Sequence, residues 1–434
     1  MVLSYNTPRP VVIGAGVVGC SIALELARRG HAPLVVDRGH AAGGGSTSAS
    51  SAVVRFSYST LDAVRLAWES KHLWDRWSDH LGVTDESGLA RFIRTGLIIL
   101  ESPASRLSMV QEHFDLVGVP YEELTAAQLE RRLPDLDVGR YWPPRALDDP
   151  SFWDDADGAP LGAYDTPDAG YVDDPALAAH NLMVAAQAHG AEFRFRTAVT
   201  GIHRDDRVRA VELADGSTVA ASFAINAAGP HSSVLNRLAG LPDTGIRTRP
   251  LRQEVHVVPA PIGSTGPHEV AVSDSDLGTY MRPHLGGTFM IGGLEPECDP
   301  LVWVDDPDHF AEHPTVETWE AQTTRAARRL TSLRIPSAPA GLAALYDVSD
   351  DWMPVYDRSE LPGWYMAIGT SGNQFKNAPM IGLLMTALIE ACEAGHDHDH
   401  DPVVVHGPIT GEPIDIGHFS RRRAVHTTTN SVLG

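Results

Sequence analysis

The chain has 434 residues, 43% hydrophobic and 21% charged, an ordinary globular composition whose length suits roughly two or three domains and a core that needs no staples. Its formal net charge of −22 argues against nucleic-acid and acidic-membrane partners, which call for a basic surface. Cys20, Cys298 and Cys392 lack the close spacing of a disulfide framework or zinc cluster, Met1–Pro10 has no signal-like pattern, and no apolar run reaches the ~20 residues of a membrane span, so a soluble cytoplasmic protein is expected.

Val11-Val12-Ile13 is a β-branched run suited to a buried parallel strand. Gly14-Ala15-Gly16-Val17-Val18-Gly19 follows, then Ser21 to Arg29 with helical spacing of Ile22, Leu24, Leu26 and Ala27. Gly30 ends that helix, and Leu34-Val35-Val36 makes a second strand closing on Asp37. The spacing predicts a complete strand–helix–strand unit that binds a dinucleotide. Gly14 permits the tight turn, Gly16 lets the backbone approach a diphosphate, and Gly19 allows close helix–strand packing. Unpaired amides and the dipole at the helix start favour the anion. Asp37, 18 residues after Gly19, is placed to accept from ribose hydroxyls, which disfavours a 2′-phosphate. This motif does not separate NAD from FAD.

Gly43-Gly44-Gly45-Ser46-Thr47-Ser48-Ala49-Ser50-Ser51-Ala52 reads as a small, hydroxyl-rich helix start offering N–H and O–H groups to a second phosphate and a flavin, with a flexible linker as the plainer alternative. Pro144 to Asp168 is rich in Pro, Asp and Gly, as a connection or lid would be. A hairpin is predicted over Ala198–Ile202 and Val208–Leu213, with a turn at Asp215-Gly216 before Val219. Phe223–Asn226 reads as a buried strand ending in a glycine turn, so the nucleotide domain resumes after a long insertion. Gly369 to Lys376 is a Gly/Ser turn carrying one of only two lysines among 34 basic residues, the other being Lys71 in a helix-like segment. Pro379 to Met385 starts an amphipathic helix. The His/Asp alternation of His396 to Asp401 reads as a polar loop and not a metal site, and Arg421-Arg422-Arg423 as a basic patch for surface or subunit contact.

Together these segments resemble the FAD-dependent amine oxidoreductases that include sarcosine oxidase, dimethylglycine dehydrogenase, glycine oxidase and D-amino acid oxidase. The matching parts are Val12–Gly19, Gly45–Ser48, Gly170-Tyr171-Val172-Asp173, Ile225–Gly229, Leu345-Tyr346-Asp347-Val348 and Gly369–Lys376. The last looks like the sarcosine oxidase loop that carries a lysine before the helix under the flavin. Tyr280-Met281-Arg282-Pro283 with Gly286-Gly287 is closer to the dimethylglycine dehydrogenase branch. The resemblance implies an α/β protein. A discontinuous Rossmann-like FAD-binding domain would take 1–94, 165–248 and 345–434, and a substrate domain built on a mixed antiparallel sheet would take 95–164 and 249–344. It implies cofactor contacts from Gly14, Gly16, Val18, Gly19, Asp37, Arg38, Gly45, Ser46, Thr47, Ser48, Val199, Ala228, Gly229, Gly372, Asn373, Gln374 and Lys376.

The resemblance also implies oxidation of the C–N bond of a small amine, a secondary or N-methyl amino acid before others. Hydride would pass to flavin N5, the imine would hydrolyse, and O2 or a separate acceptor would take the electrons, with no obligatory acid or base. Lys376 would bind the substrate carboxylate, a role that suits a compact point charge in an arginine-preferring chain. Arg55, in Val53–Tyr58, would be the second carboxylate ligand. Tyr346 matches a tyrosine near substrate and flavin; Tyr280 and Arg282 are candidates on the facing sheet. Each has a plain structural reading beside the functional one, and His256 and His284 are read as structural.

The chain departs from the family pattern at three places. Ala344 stands where sarcosine oxidase has its flavin-linking cysteine, and no histidine lies near Ala49, where dimethylglycine dehydrogenase attaches its flavin, so non-covalent FAD is expected. The oxygen-activating lysine of sarcosine oxidase aligns near Met290, so reaction with O2 should be slow. The arginine that glycine and D-amino acid oxidases place near Leu342 to Leu345 is missing, which favours an N-alkyl amino acid over a free D-amino acid. The rival readings are an NAD(P)-dependent dehydrogenase, which leaves the Gly369–Lys376 loop without purpose, and a flavoprotein acting on a non-amine substrate. An oligomer is compatible with the sequence.

Overall fold

The strand Tyr5–Ile13 lies at the centre of an eight-stranded sheet in the computed structural model, which describes residues 5–105, 107–241, 245–261, 263–264, 266, 269–427 and 431–434. Its parallel core runs Glu192–Arg194, Leu34–Val36, Tyr5–Ile13, Thr218–Asn226 and Trp364–Ile368. The predicted hairpin, Val199–Arg204 with Val208–Leu213, adds antiparallel strands at one edge. Both faces of the core are buried, which is why Val11–Ile13 and Leu34–Val36 are continuously apolar. Val12 and Val35 pack under the helices Val17–Arg28, Pro175–Ala188 and Ala378–Glu393, while Val11, Ile13, Leu34 and Val36 meet the hairpin and Leu235.

A nine-stranded sheet forms the second layer. It is antiparallel except where Ala271–Asp274 runs parallel to Leu97–Leu100, so it is mixed. Its longest ladder pairs Gly341–Ser349 with Thr248–Pro259, from Gly341 opposite His256 to Ser349 opposite Thr248. Two boundaries expected from sequence, 344/345 and 164/165, therefore fall inside strands of this sheet, Gly341–Ser349 and Ala163–Thr166.

Two local readings are corrected. Residues 43–52 form successive turns and not a helix start: Ser48 Oγ donates to the Gly45 carbonyl at 3.0 Å, and Ala52 has φ +50°. Hydroxyl side chains compete with helical hydrogen bonding in this way. Arg421–Arg423 is no free basic patch. Arg421 pairs with Asp357 at 2.9 Å and Asp399 at 2.8 Å, and Arg423 with Asp351 at 2.7 Å, as buried guanidinium groups require. Among the described residues no helix is long and apolar enough to cross a membrane.

Candidate active site

At the carboxyl ends of the parallel strands, Gly14 turns the chain with φ +110° and donates its N–H to Val36 O at 2.9 Å. A Cβ on Gly14 would overlap the Ala227 carbonyl, and one on Gly19 would overlap the Gly14 carbonyl, so this crossing admits only glycine. The helix Val17–Arg28 then starts at Gly16 with no side-chain cap of its own; Val17 N–H donates to Thr47 Oγ1 at 3.1 Å, thirty positions away. Asp37 accepts from Ala15 N–H and Gly39 N–H, both at 2.6 Å. Arg196 and Thr197 donate N–H groups to Gly39 O and Asp37 O, which brings Val199 to this end. Ala228 and Gly229 follow Ala227, whose N–H reaches Ile13 O at 2.9 Å. Gly14, Gly16, Val18, Gly19, Asp37, Thr47, Val199, Ala228 and Gly229 are thus brought together. Arg38 lies at the outer end, paired with Asp308 and 3.0 Å from His231 Nε2. Ser46 Oγ reaches across to Leu345 O at 2.7 Å, with Gly45 and Ser48 on the same turns.

That bridge leads to a cavity of about 620 Å³, part of it open to solvent, lined among others by Arg55, Tyr280, Arg282, Tyr346, Gly372, Asn373 and Lys376. Lys376 sits on the single turn Phe375–Asn377 ahead of the helix Ala378–Glu393. Its buried Nζ donates to Tyr58 OH at 2.9 Å and Asn373 O at 2.5 Å, and among the described residues no carboxylate pairs with it. Burial, then the nearby Arg55 charge, hold its pKa well below the usual lysine value. Arg55 is buried beside it. Its Nη2 donates to Val432 O and Leu433 O, both at 2.7 Å, its Nη1 to Ser57 O, and its guanidinium lies 4.6 Å from the Tyr58 ring centroid. Burial lowers the Arg55 pKa against the opposing pull of Tyr58 and Tyr164.

The turn before Lys376 is held from below. Tyr356 OH donates to Gln374 Oε1 at 2.9 Å and Trp74 Nε1 to Lys376 O at 2.7 Å, so the Gln374 side chain is spent inside the protein. The Tyr346 ring lies on Gly372 and the Tyr280 ring on Gly292, each where a Cβ would overlap it. Burial raises both phenol pKa values. Arg282 donates from Nε to Ser51 O at 2.7 Å and lies 4.2 Å over the Tyr171 ring; burial pushes its pKa down to about 10. Met290 sits directly across from Arg282 in the strand register. Lys71 is engaged elsewhere, 2.9 Å from Asp75 and 3.5 Å from Asp168. His256 is buried edge-on to Trp319 and does not line the cavity.

Sequence reasoning passed over Tyr58, Glu295 and the segment at Val432 and Leu433. Tyr58 had a signal, its place in the run that contains Arg55. Glu295 shows itself only through its backbone. Among the described residues it shares positive φ with Ala52, Arg196, Trp352 and Ser371, and it follows the cavity-lining Leu294.

A helix start without a side-chain cap at one end and a cation-lined cavity at the other fit a dinucleotide whose second ring system reaches the cavity. Residues 10–388 match the family described as DAO, FAD dependent oxidoreductase. The chain belongs to that family. It is 25% identical over 397 residues to the glycine oxidase of Geobacillus kaustophilus, covering 89% of this chain and 94% of the relative. Among solved structures it is similar to L-proline dehydrogenase from P. horikoshii (TM-score 0.74, 22% identity, 97% and 98% of the two chains). It is also similar to L-amino acid deaminase from Proteus vulgaris (TM-score 0.70, 15% identity, 98% and 99%). The α/β fold, the Rossmann-like domain with its mixed-sheet companion and the FAD cofactor agree with the sequence reading, and the NAD(P) alternative falls away. The protein is an FAD-dependent oxidoreductase of the amine- and amino-acid-oxidising kind. Ala49 and Ala344 offer no nucleophile at the two positions where the resembling enzymes attach their flavin.

Proposed function

We propose that this protein oxidises the C–N bond of a small secondary or N-methyl amino acid whose carboxylate binds between Lys376 and Arg55. The observation that carries this reading is the pair of buried basic side chains lining one cavity without a carboxylate partner among the described residues. An unpaired buried charge is costly, and an anionic ligand relieves the cost. FAD, when bound, accepts hydride from the carbon beside the substrate nitrogen. Tyr58 and the Asn373 carbonyl orient the Lys376 ammonium. Tyr346 and Tyr280 wall the cavity, so a bound substrate's C–H bond is aligned between fixed rings. Of the turn amides, that of Asn373 is spent on the Thr370 carbonyl, and those of Gly372 and Gln374 would supply positive potential to a bound flavin. The imine product hydrolyses in water.

In the same reading the lobe of residues 1–94, 165–248 and 345–434 holds FAD, with Gly341–Ser349 and Ala163–Thr166 passing into the sheet of the substrate lobe. Electrons leave to O2 slowly or to a separate acceptor. Met290 carries no charge, and Arg282 opposite it is tied to Ser51 O and Pro283 O. The names of two similar proteins, glycine oxidase and L-proline dehydrogenase, agree with a small amino-acid substrate. Anaerobic titration of the FAD-loaded protein with N-methyl and cyclic amino acids tests it. Bleaching of the flavin band near ~450 nm, a property of the cofactor, is expected; a panel in which no amino acid bleaches it overturns the reading.

A further inference from the structure

Glu295 follows the cavity-lining Leu294 and has φ +49°, a left-handed conformation that a glutamate rarely adopts and that persists where the surroundings impose it. Its Oε2 accepts the Val432 N–H at 3.0 Å; Oε1 is closed off from solvent and has no hydrogen-bond partner among the described residues. No cation pairs with Glu295 among them either, and its charge is felt by the cavity phenols Tyr346 and Tyr280. Val432 is held at its other end by Arg55, whose Nη2 donates to the Val432 carbonyl at 2.7 Å. One residue therefore gives an N–H to the Glu295 carboxyl group and a C=O to the buried Arg55 guanidinium. Its nitrogen, Cα and carbonyl form the same covalent frame as a free α-amino acid, with the same bond lengths separating donor from acceptor.

We propose that Glu295 is the group that receives the substrate nitrogen, opposite Arg55 on the carboxylate, and that Val432 occupies the amino-acid position until substrate displaces it. This rests on the amino-acid reading above and adds a catalytic residue to it. An amino acid arrives as an ammonium, but only the neutral amine releases hydride. Glu295 takes the proton: one N–H bond breaks, one O–H bond forms at its carboxyl group, and the cation–anion pair becomes a neutral amine beside a neutral acid. Burial, with a smaller push from Asp299 and against the Val432 hydrogen bond, raises the Glu295 pKa to about 8, which suits a base working near neutral pH.

The test compares an amino acid with its oxygen isostere on the FAD-loaded full chain: sarcosine against methoxyacetate, or proline against tetrahydro-2-furoate, whichever amino acid reduces the flavin. Glu295→Gln should weaken the amino acid by about tenfold or more and leave the isostere within about twofold, because only the nitrogen uses the carboxylate. Equal changes for both ligands, or no change for either, overturn the proposal. If Glu295→Gln does not retain FAD, Glu295→Asp makes the same comparison, with a smaller but still amine-specific loss expected. Val432→Pro removes the N–H that Glu295 accepts. It should tighten the isostere severalfold by freeing Arg55; an unchanged or weaker isostere shows that Val432 is no surrogate. Failure of every amino acid to reduce the flavin defeats the amino-acid reading itself, a result separate from reduction that is indifferent to Glu295.

Discussion

The glycine turn and the cation-lined cavity, the two ends of the cofactor groove, are built on opposite plans. The turn presents backbone: glycines that fit because nothing larger does, amides at a helix start, and Asp37 already engaged by two N–H groups. The cavity presents side chains: Lys376, Arg55, Tyr346 and Tyr280 reach it from separate stretches of chain, beside residues in unfavourable φ. A diphosphate is the same in every dinucleotide, so recognition of it can be fixed in the main chain within a short stretch. A substrate differs from enzyme to enzyme, and its contacts are free to come from remote positions. If this division holds, damage to the turn should cost the fold and the cofactor together, while damage to the cavity should cost substrate alone.

The largest effect is expected at the turn. Gly14→Val places side-chain atoms on the Ala227 carbonyl at a φ of +110°, where both the space and the conformation exclude it. FAD content and soluble folded protein should fall together. Gly30→Ala is the control: its φ of +85° is also unfavourable, but nothing lies within 4 Å, so only about 1 kcal/mol of stability should be lost with FAD retained. Equal damage from both variants would mean that backbone conformation, and not the close crossing of the strands, governs the turn.

Lys376→Met should act at the other end. KM for the reducing amino acid, or Kd for its isostere, should rise by about 100-fold, the worth of a charge-assisted hydrogen bond, with FAD content unchanged. The pH dependence gives its sign. A lysine whose folded pKa lies below the ordinary 10.5 binds its proton more weakly when folded, so stability of the empty protein rises with pH between the lowered value and 10.5. Lys376→Met should therefore be more stable than the parent at low pH, and the gap should close as pH approaches 10.5. A carboxylate ligand restores the charge, so its binding should take up a proton and weaken as pH rises through the lowered pKa. Calorimetry in two buffers of different ionisation heat would read the uptake, and its absence would mean that Lys376 is already charged in the empty site.

The same division explains what the sequence disclosed. The strand–helix–strand unit was legible because its glycines, apolar runs and acid keep fixed spacing within 37 residues, and local sterics impose that spacing. Lys376, Arg55, Tyr346 and Tyr280 were legible only through likeness to a family, and the fold does bring all four to one cavity. Arg421–Arg423 was misread because Asp351, Asp357 and Asp399 lie well upstream, and no local pattern announces a long-range ion pair. Strand Gly341–Ser349 crosses the expected 344/345 boundary because it is set by its pairing with residues about ninety positions away, which no local pattern discloses. Glu295 was silent: an acidic residue before a proline reads as surface loop, and only its backbone angle and unpartnered oxygen set it apart.

The smallest expected effect tests where the two plans meet. Thr47 belongs to the hydroxyl-rich turns but serves the glycine-turn helix, since its Oγ1 accepts the Val17 N–H at 3.1 Å in place of an ordinary N-cap. Thr47→Val keeps the shape and removes the acceptor, so the FAD-free protein should lose about 1 kcal/mol, the usual worth of a cap. In the loaded protein a diphosphate at the helix start offers that amide another acceptor, and the loss should shrink. Comparing thermal midpoints of FAD-free and FAD-loaded protein for parent and variant gives the answer directly. A loss that is equal in both states would place the Val17 amide outside cofactor contact and confine the diphosphate to the amides on either side of it.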